Sequence, residues 1–277
     1  MSELRTAGQL QRAPVVRPGP AQPGRRCLEE LDLSVNPLGD GVSQALACLL
    51  SACPLLARLA LQACNLTARF LQQHRLLLAQ ALAGMGHGHL KSVCLSHNSL
   101  GSTGFELVLK TLPLHCLTHL HLSAVCSGAV DPPALEHLTT IMSQEDCSLI
   151  HLSLAGNGLT DSSVAIVARC LPVCPSLVSL DLSGNPAVTS AGLHNILSGL
   201  QDGRPPLTLL NLQGCQVAGP WDAADLDALS ILVQDLRLCS QRLNKLDREA
   251  LQQTWGQRHP RGYFLSVSSR CLLSAAP

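Results

Sequence analysis

The residues best able to do chemistry in this chain are its eleven histidines and thirteen cysteines. Imidazole and thiolate groups bind Zn²⁺ and take part in proton transfer or nucleophilic attack. Two pairs have suggestive spacing: His87 and His89 flank one glycine, and Cys170 and Cys174 have three residues between them. Neither pair has a second half-site at zinc-finger spacing, so an exposed loop and packing thiols explain the two pairs better.

The sequence contains no other pattern that predicts catalysis. It has no GxxxxGK(S/T) phosphate loop, no GxGxxG after a strand and no HExxH helix. Serine, histidine and aspartate occur, but no spacing places a set of them beside an oxyanion hole. We therefore predict that the protein is not an enzyme and has no catalytic, cofactor-binding or metal-binding residues.

Composition and charge restrict the class of protein further. The formal net charge is zero, which gives no sign of a dedicated nucleic-acid surface. Charged or polar residues interrupt every leucine cluster, so no membrane span is predicted. The first residues lack the apolar segment of a signal peptide, and the odd number of cysteines shows no disulfide-framework spacing. These features predict a reduced, intracellular protein, which we expect to be monomeric on its own.

Leucines recur in a fixed pattern along most of the chain. The template LxxLxLxxNxL fits Leu28, Leu31, Leu33, Asn36 and Leu38 without a mismatch. Two later copies carry cysteine in the asparagine position, and the fourth and eighth copies are degenerate. The copies begin at residues 28, 56, 90, 117, 149, 177, 207 and 233. Eight copies in phase predict an array of structural repeats.

The repeat also predicts its own secondary structure. Each LxL segment favours a short strand, because alternate residues of a strand face opposite sides of a sheet. Apolar residues at helical spacing follow, in segments that begin at Asp40, Asp161 and Ser190, which are residue types that cap helices. A strand and a helix per repeat predict an α/β leucine-rich-repeat solenoid of about eight repeats. Its horseshoe would have a parallel inner sheet and outer helices, and it resembles the ribonuclease-inhibitor-like family.

The residues that flank and separate the strand leucines are predicted to line the concave face, where solenoids bind their partners. Three histidines on adjacent strands, with an aspartate nearby, could make such binding pH-sensitive. A solvated polar lining, which any horseshoe needs, explains the same residues equally well. The partner-binding candidates are Glu30, Asp32, Arg58, His119, His121, His151, Ser179, Asp181, Asn211, Asp235 and Arg237.

The two ends of the chain differ from the repeats. Residues 1–26 combine arginines and prolines without apolar periodicity and are predicted to be a disordered basic linker. Residues 27–256 form the repeat domain, whose final helix would be capped by Asp247, and residues 257–277 form a tail or a closing strand. No polar capping helix precedes the first repeat. Either the linker folds back over that repeat or, as we favour, the chain is part of a larger protein.

Length, chain ending and repeat order give a narrower resemblance, to the C-terminal repeat region of the Tonsoku-like family. The matching segments are CLEELDLS at 27–34, LDLSGNP at 180–186 and LDREAL at 246–251. The resemblance implies a nuclear scaffold at damaged or stalled replication forks. In that family, tetratricopeptide repeats and histone-reading ankyrin repeats precede a leucine-rich array that docks an obligate repair partner. This chain has neither of the first two modules, so only partner docking would apply to it.

Two other functions fit a leucine-rich-repeat array. The first is an inhibitor that fills an enzyme's active site, as ribonuclease inhibitor does. That function calls for an acidic groove with aromatic anchors, whereas the predicted groove is mixed in charge. The second is a ligand-sensing fragment of a nucleotide-binding innate immune receptor, which would require an upstream nucleotide-binding module that this chain does not contain.

Overall fold

The computed structural model describes residues 15–18, 28–84, 89–200, 205–267 and 270–275. Within these ranges, eleven strands and eight α-helices alternate along the chain. The strands are β1 (Val15–Pro18), β2 (Leu28–Asp32), β3 (Arg58–Ala60), β4 (Ser92–Cys94), β5 (His119–His121), β6 (His151–Ser153), β7 (Ser179–Asp181), β8 (Leu207–Asn211), β9 (Val233–Leu238), β10 (Tyr263–Val267) and β11 (Arg270–Ser274). The helices are α1 (Ser43–Ala52), α2 (Ala68–Gly84), α3 (Gly101–Thr111), α4 (Pro132–Met142), α5 (Asp161–Ala168), α6 (Ser190–Leu200), α7 (Ala223–Leu232) and α8 (Lys245–Arg258).

The strands form one sheet in the order β1-β2-β3-β4-β5-β6-β7-β8-β9-β11-β10. Strands β2 to β9 are parallel and each pairs with the next, so each of the eight predicted repeats contributes one strand. From β2 to β9, a helix connects each strand to the next. The predicted leucine-rich-repeat solenoid is therefore confirmed, with its parallel sheet on one side and its helices on the other.

The core is a stack of leucines contributed by one residue per strand. These residues pair in register across the sheet and are each at most 4% exposed, so every strand buries its central side chain against two neighbours. Burying one such side chain stabilises the fold by roughly 1.5–3 kcal/mol. The row consists of Leu31, Leu59, Val93, Leu120, Leu152, Leu180, Leu210 and Leu236.

Asparagine side chains in the turns after the strands connect neighbouring coils. Asn98, Asn157 and Asn185 are buried, and each accepts two backbone N–H groups of the preceding coil through Oδ1. Each also donates from Nδ2 to a carbonyl oxygen of that coil; for Asn185 the acceptor is Leu154 at 3.3 Å. These side chains satisfy backbone groups that would otherwise be buried without partners.

Cysteine fills the asparagine position in two coils. The Sγ of Cys64 donates to the carbonyl of Leu33 at 3.2 Å, and the Sγ of Cys215 donates to that of Leu182 at 3.3 Å. Both side chains are buried. Each thiol therefore replaces the Nδ2 donor of the asparagine, but it does not replace the Oδ1 acceptor.

Two predicted helix caps have a different role in the structure. Thr160, not Asp161, caps α5 with its side chain, and α1 begins at Ser43 after a short 3-10 turn at Asp40–Val42. The carboxylate of Asp161 accepts hydrogen bonds from the backbone N–H and hydroxyl of Thr189, both at 2.7 Å, and Asp40 does the same for a threonine of its next coil. These aspartates join coils rather than cap helices.

Four of the first 26 residues form a strand at the N-terminal edge of the sheet. β1 lies within the segment predicted to be disordered and pairs antiparallel with β2. Its pairing needs only backbone groups, and Pro18 ends the strand at an irregularity in the ladder, where proline is tolerated. Residues 15–18 therefore lie against the first coil, and this pairing does not bear on the favoured alternative, that the chain is part of a larger protein. The boundaries 1–26, 27–256 and 257–277 otherwise stay predictions.

The C-terminal end is closed by a helix and a hairpin. Asn244, not Asp247, is the N-cap of α8, and the two side chains form a reciprocal capping box. β11 pairs antiparallel with β9, and β10 pairs with β11, so two strands follow the last coil where one was suggested. None of the helices in the described part of the chain is long and apolar enough to cross a membrane.

We expect Asn185→Ala to lower the free energy of unfolding by about 2–4 kcal/mol, because two buried N–H groups lose their acceptor. Asn185→Cys should give an intermediate loss, since a thiol can still donate to the preceding coil as Cys215 does. Urea denaturation followed by circular dichroism measures both effects.

The matched control is Asn36→Ala in the first coil. The Asn36 amide is half-buried and, among the described residues, donates only to the carbonyls of Leu33 and Ser34 in its own turn. Its loss should cost about 1 kcal/mol or less. Equal losses at the two positions would contradict an inter-coil role for Asn185.

Candidate functional site

The side of the sheet that faces away from the helices carries two rows of side chains, which we call the polar sheet face. Each strand from β2 to β9 contributes one residue to each row, and the residues pair in register. The first row is Glu30, Arg58, Ser92, His119, His151, Ser179, Leu209 and Asp235. The second row is Asp32, Ala60, Cys94, His121, Ser153, Asp181, Asn211 and Arg237. All eleven partner-binding candidates lie in these rows.

Three histidines are in contact at the centre of this face. The rings of His119 and His151 are stacked with centroids 4.3 Å apart, and the centroids of His119 and His121 are 6.4 Å apart. Together with Ser179 and Asp181, they line a depression of about 420 Å³. The structure therefore brings together five of the candidates, as the strand spacing predicts.

Burial and mutual repulsion disfavour the charged form of these imidazoles. Desolvation lowers the pKa of His119, and the neighbouring His151, His121 and Arg58 lower it further. The pKa of His121 is lowered by burial and by His151, although Asp181 opposes the shift, and burial lowers the pKa of His151. The cluster is therefore neutral at pH 7, and its rings can accept hydrogen bonds from a partner.

The other candidates are divided between a second depression and the C-terminal coils. Glu30, Asp32 and Arg58 line a depression of about 390 Å³ over β2 to β4. His121 lines both depressions and so joins them. Asn211, Asp235 and Arg237 lie outside both, and Asp235 and Arg237 pair instead with the hairpin strand β11.

Three of the candidates also serve the fold. The side chains of Asp32, Asp181 and Asn211 each accept a hydrogen bond from the backbone N–H two residues later, at 2.8, 2.9 and 3.2 Å. Such bonds fix the turn where a strand ends and hold the side chain in place. These bonds hold the side chains in place before a partner binds, which lowers the entropy cost of binding through the second carboxylate oxygen of Asp32 and Asp181. Asn211 is itself buried.

Sequence reasoning missed several residues of this face. Ser123, just beyond β5, shares a 2.7 Å hydrogen bond with Ser153, and Gln62 lines both depressions. Tyr263 and Leu265 of β10 extend the face beyond the last coil and are 56% and 47% exposed. The sequence analysis predicted a tail or a closing strand at residues 257–277, and it did not indicate which coil a strand there would join.

The cysteine and histidine pairs with suggestive spacing are not part of this face. Cys170 and Cys174 are buried, and a hydrogen bond with Cys174, together with burial, raises the pKa of the Cys147 thiol far above its usual range. His87 lies outside the described residues, and His89 is exposed. Within the described ranges, no group of three His, Cys, Asp or Glu side chains could hold a metal ion.

Three other buried thiols have low reactivity at neutral pH. Burial raises the pKa of Cys126, Cys215 and Cys271 to about 11, so these groups stay protonated at neutral pH. A protonated thiol is a poor nucleophile and metal ligand. The twelve cysteines in the described part of the chain are free thiols.

The fold and the polar sheet face define the class of the protein: the chain belongs to the leucine-rich-repeat family. A family profile described as "Leucine Rich repeat" matches residues 173–197, which contain β7 and most of α6. More particularly, the chain is 66% identical over 248 residues to Tonsoku-like protein of Danio rerio and 48% identical over 226 residues to that of Bos taurus. These matches confirm the resemblance to the Tonsoku-like family.

A third relative is less similar. NACHT, LRR and PYD domains-containing protein 14 of Mus musculus is 29% identical over 259 residues. The three matches cover 90%, 82% and 82% of this chain but only 17%, 16% and 25% of the relatives. The chain therefore spans about a sixth of the length of the two Tonsoku-like proteins. Its class is that of a leucine-rich-repeat protein.

We expect the stability of the chain to fall between pH 7.5 and pH 5.5, and to fall less in the variant His119→Asn/His121→Asn/His151→Asn. The folded-state pKa of each histidine lies below its unfolded value. The unfolded state therefore takes up protons first as the pH drops below about 6.5, and folding becomes less favourable. Urea midpoints at three pH values measure the slope.

His115→Asn is the control for this measurement, because its side chain is exposed and lies outside the two rows of the polar sheet face. It should keep the pH dependence of the unmodified chain. If the triple variant also kept that dependence, the three histidines would not be coupled to folding.

Proposed function

We propose that the polar sheet face docks a protein partner and that the chain is a non-catalytic scaffold in DNA replication-fork repair. The observation that carries this proposal is the in-register double row of outward side chains across eight strands. Most of these side chains are polar, and they surround two joined depressions. A rigid surface of this kind suits a macromolecule better than a small molecule, because it is wide, shallow and polar.

The repair role is supported by the 66% identity to Tonsoku-like protein of Danio rerio. By the resemblance given above, the partner would be the obligate repair partner of that family, and the chain would act in the nucleus. The mixed charge of the face agrees with a protein ligand: its carboxylates are at Glu30, Asp32, Asp181 and Asp235, and its arginines are at Arg58 and Arg237. A nucleic-acid surface would carry an excess of positive charge.

The alternative of a ribonuclease-type inhibitor remains weaker. Such a face needs an excess of acidic groups and aromatic anchors at its centre. The centre of this face is instead a neutral histidine cluster, and its aromatic residue, Tyr263, lies at the far edge. The innate-receptor alternative has the 29% identical relative in its favour, but that identity extends over the repeats that both chains share as a fold.

The test is affinity purification of the tagged chain from nuclear extracts of replicating cells, with captured proteins quantified by mass spectrometry. We expect a replication-repair protein to be recovered, and the variant His119→Ala/His121→Ala/His151→Ala to bind it at least about tenfold more weakly, or ~1.4 kcal/mol. The loss would follow from removing the central contact surface of the two depressions.

The matched control removes three exposed histidines that lie outside the polar sheet face: His89→Ala/His115→Ala/His194→Ala. It should bind as the unmodified chain does. Recovery of ribonucleases without repair proteins would refute the proposed function. If both triple variants bound equally well and had unchanged circular dichroism, the histidine cluster would not contribute to binding and would only be a solvated lining.

A further inference from the structure

The last strand of the sheet has an unpaired edge. β10 pairs with β11 on one side, and within the described residues no strand pairs with its other side. An unpaired edge presents backbone N–H and C=O groups that can bind another strand, and native proteins usually protect such edges with charge, proline or a covering segment. β10 has the sequence YFLSV, which contains neither a charge nor a proline.

The register indicates which backbone groups are available. Two residues separate β10 from β11, and Val267 pairs with Arg270 at the ends of the strands. In a two-residue hairpin this flanking pair exchanges both hydrogen bonds, and bonded and non-bonded pairs then alternate. The backbone groups of Phe264 and Ser266 are thereby directed toward the unpaired edge.

The side chains around this edge combine exposed apolar groups with positive charge. Tyr263 and Leu265 pair with Ser274 and Leu272, so they share the outward face with Leu272. Tyr263 and Leu265 are both about half exposed, at 56% and 47%. The inward-facing Phe264, in contrast, packs against the core.

The charge near the hairpin is one-sided. Residues 250–277 contain three arginines and no aspartate or glutamate. Arg258 is paired with Asp227 at 3.0 Å, whereas Arg261 and Arg270 are exposed. Arg270 is two residues before Leu272 and faces the same side. Leu272 pairs with Arg237 of the polar sheet face, and Ser274 pairs with Asp235 of that face.

From these observations we propose that β10 accepts an extended acidic segment of a protein partner as an additional strand of the sheet. Its backbone would bind Phe264 and Ser266. On the outward face, its central apolar side chains would cover Tyr263 and Leu265, and carboxylates at its two ends would face Arg270 and Arg261. This mode is β-strand addition, in which main-chain hydrogen bonds give affinity and alternate side chains give specificity. The inference rests on the proposed function, because it assigns a second contact to the docked protein.

The test uses a fluorescein-labelled twelve-residue peptide with glutamates at both ends and valine alternating with serine between them, titrated with the whole chain by fluorescence anisotropy. We expect a micromolar Kd, and at least tenfold weaker binding when lysine replaces glutamate or when alternate amides are N-methylated. In NMR spectra of the chain, the amide exchange of Phe264 and Ser266 should slow on peptide addition.

Two variants test the edge directly. Ser266→Pro removes an N–H that points away from the hairpin, which an edge strand tolerates, and should weaken peptide binding at least tenfold. Tyr263→Ser/Leu265→Ser should do the same by removing the apolar cover. The control is Leu246→Ser on α8, which removes a more exposed apolar side chain, 74% exposed, away from the sheet. It should leave binding unchanged.

The outcomes separate this inference from the proposed function. Equal binding of the lysine and glutamate peptides, or normal binding by a folded Ser266→Pro chain, would overturn strand addition at β10. Neither result would change the capture of a repair protein through the histidine cluster. Loss of that capture, in turn, would leave the peptide measurements as they are.

Discussion

The structure depends on hydrogen bonds and apolar contacts that each coil can make only with its neighbours. A single coil buries neither its strand leucines nor the backbone N–H groups of its turn. Asn157 supplies acceptors for the coil before it, and Asn185 does the same for the coil of Asn157. Every strand must therefore keep the register of the strand beside it. A slip of one residue would turn the leucines outward and the polar residues into the core.

This constraint produces the functional surface as well as the core. Because the register is fixed, the outward residues of three-residue strands can only form two continuous rows. The core positions must stay small and apolar, but the outward positions are free to differ from coil to coil. The face therefore changes along the solenoid, from carboxylates on β2, through histidines on β5 and β6, to arginine and exposed apolar groups at the hairpin.

The sequence predicts the strands and the rows almost to the residue, because both follow from a local period of two and a repeating leucine. The residues chosen to flank Val93, Leu120 and Leu152 are the ends of the observed strands β4, β5 and β6. Interactions with distant partners were not predictable in this way. Residue type suggested that Asp161 caps its own helix, whereas its partner is Thr189, 28 residues later. β1 and the hairpin likewise depend on pairing with strands whose edges the repeat pattern does not mark.

The turn after each strand requires a backbone conformation that its residue types do not indicate. The residue before the asparagine position has a positive φ, between 50° and 76°, in seven successive coils, but only the last three have glycine there. The seven residues are Val35, Ala63, His97, Ala124, Gly156, Gly184 and Gly214. For a non-glycine residue this conformation costs roughly 1–2 kcal/mol.

The neighbouring coil explains why the strained conformation persists. The backbone N–H of this residue donates to a carbonyl of the next coil, for example Val35 to Gln62 and Ala124 to Ala155, both at 2.7 Å. A buried N–H without an acceptor costs about 1–3 kcal/mol, which is as much as the strain or more. The turns of the first four coils therefore carry backbone strain, and glycine avoids this strain in the fifth, sixth and seventh coils. His151 and Asp181 lie on two of the coils that have glycine in this turn, directly before Asn157 and Asn185. This part of the polar sheet face is therefore supported by turns without the strain of a non-glycine residue at positive φ.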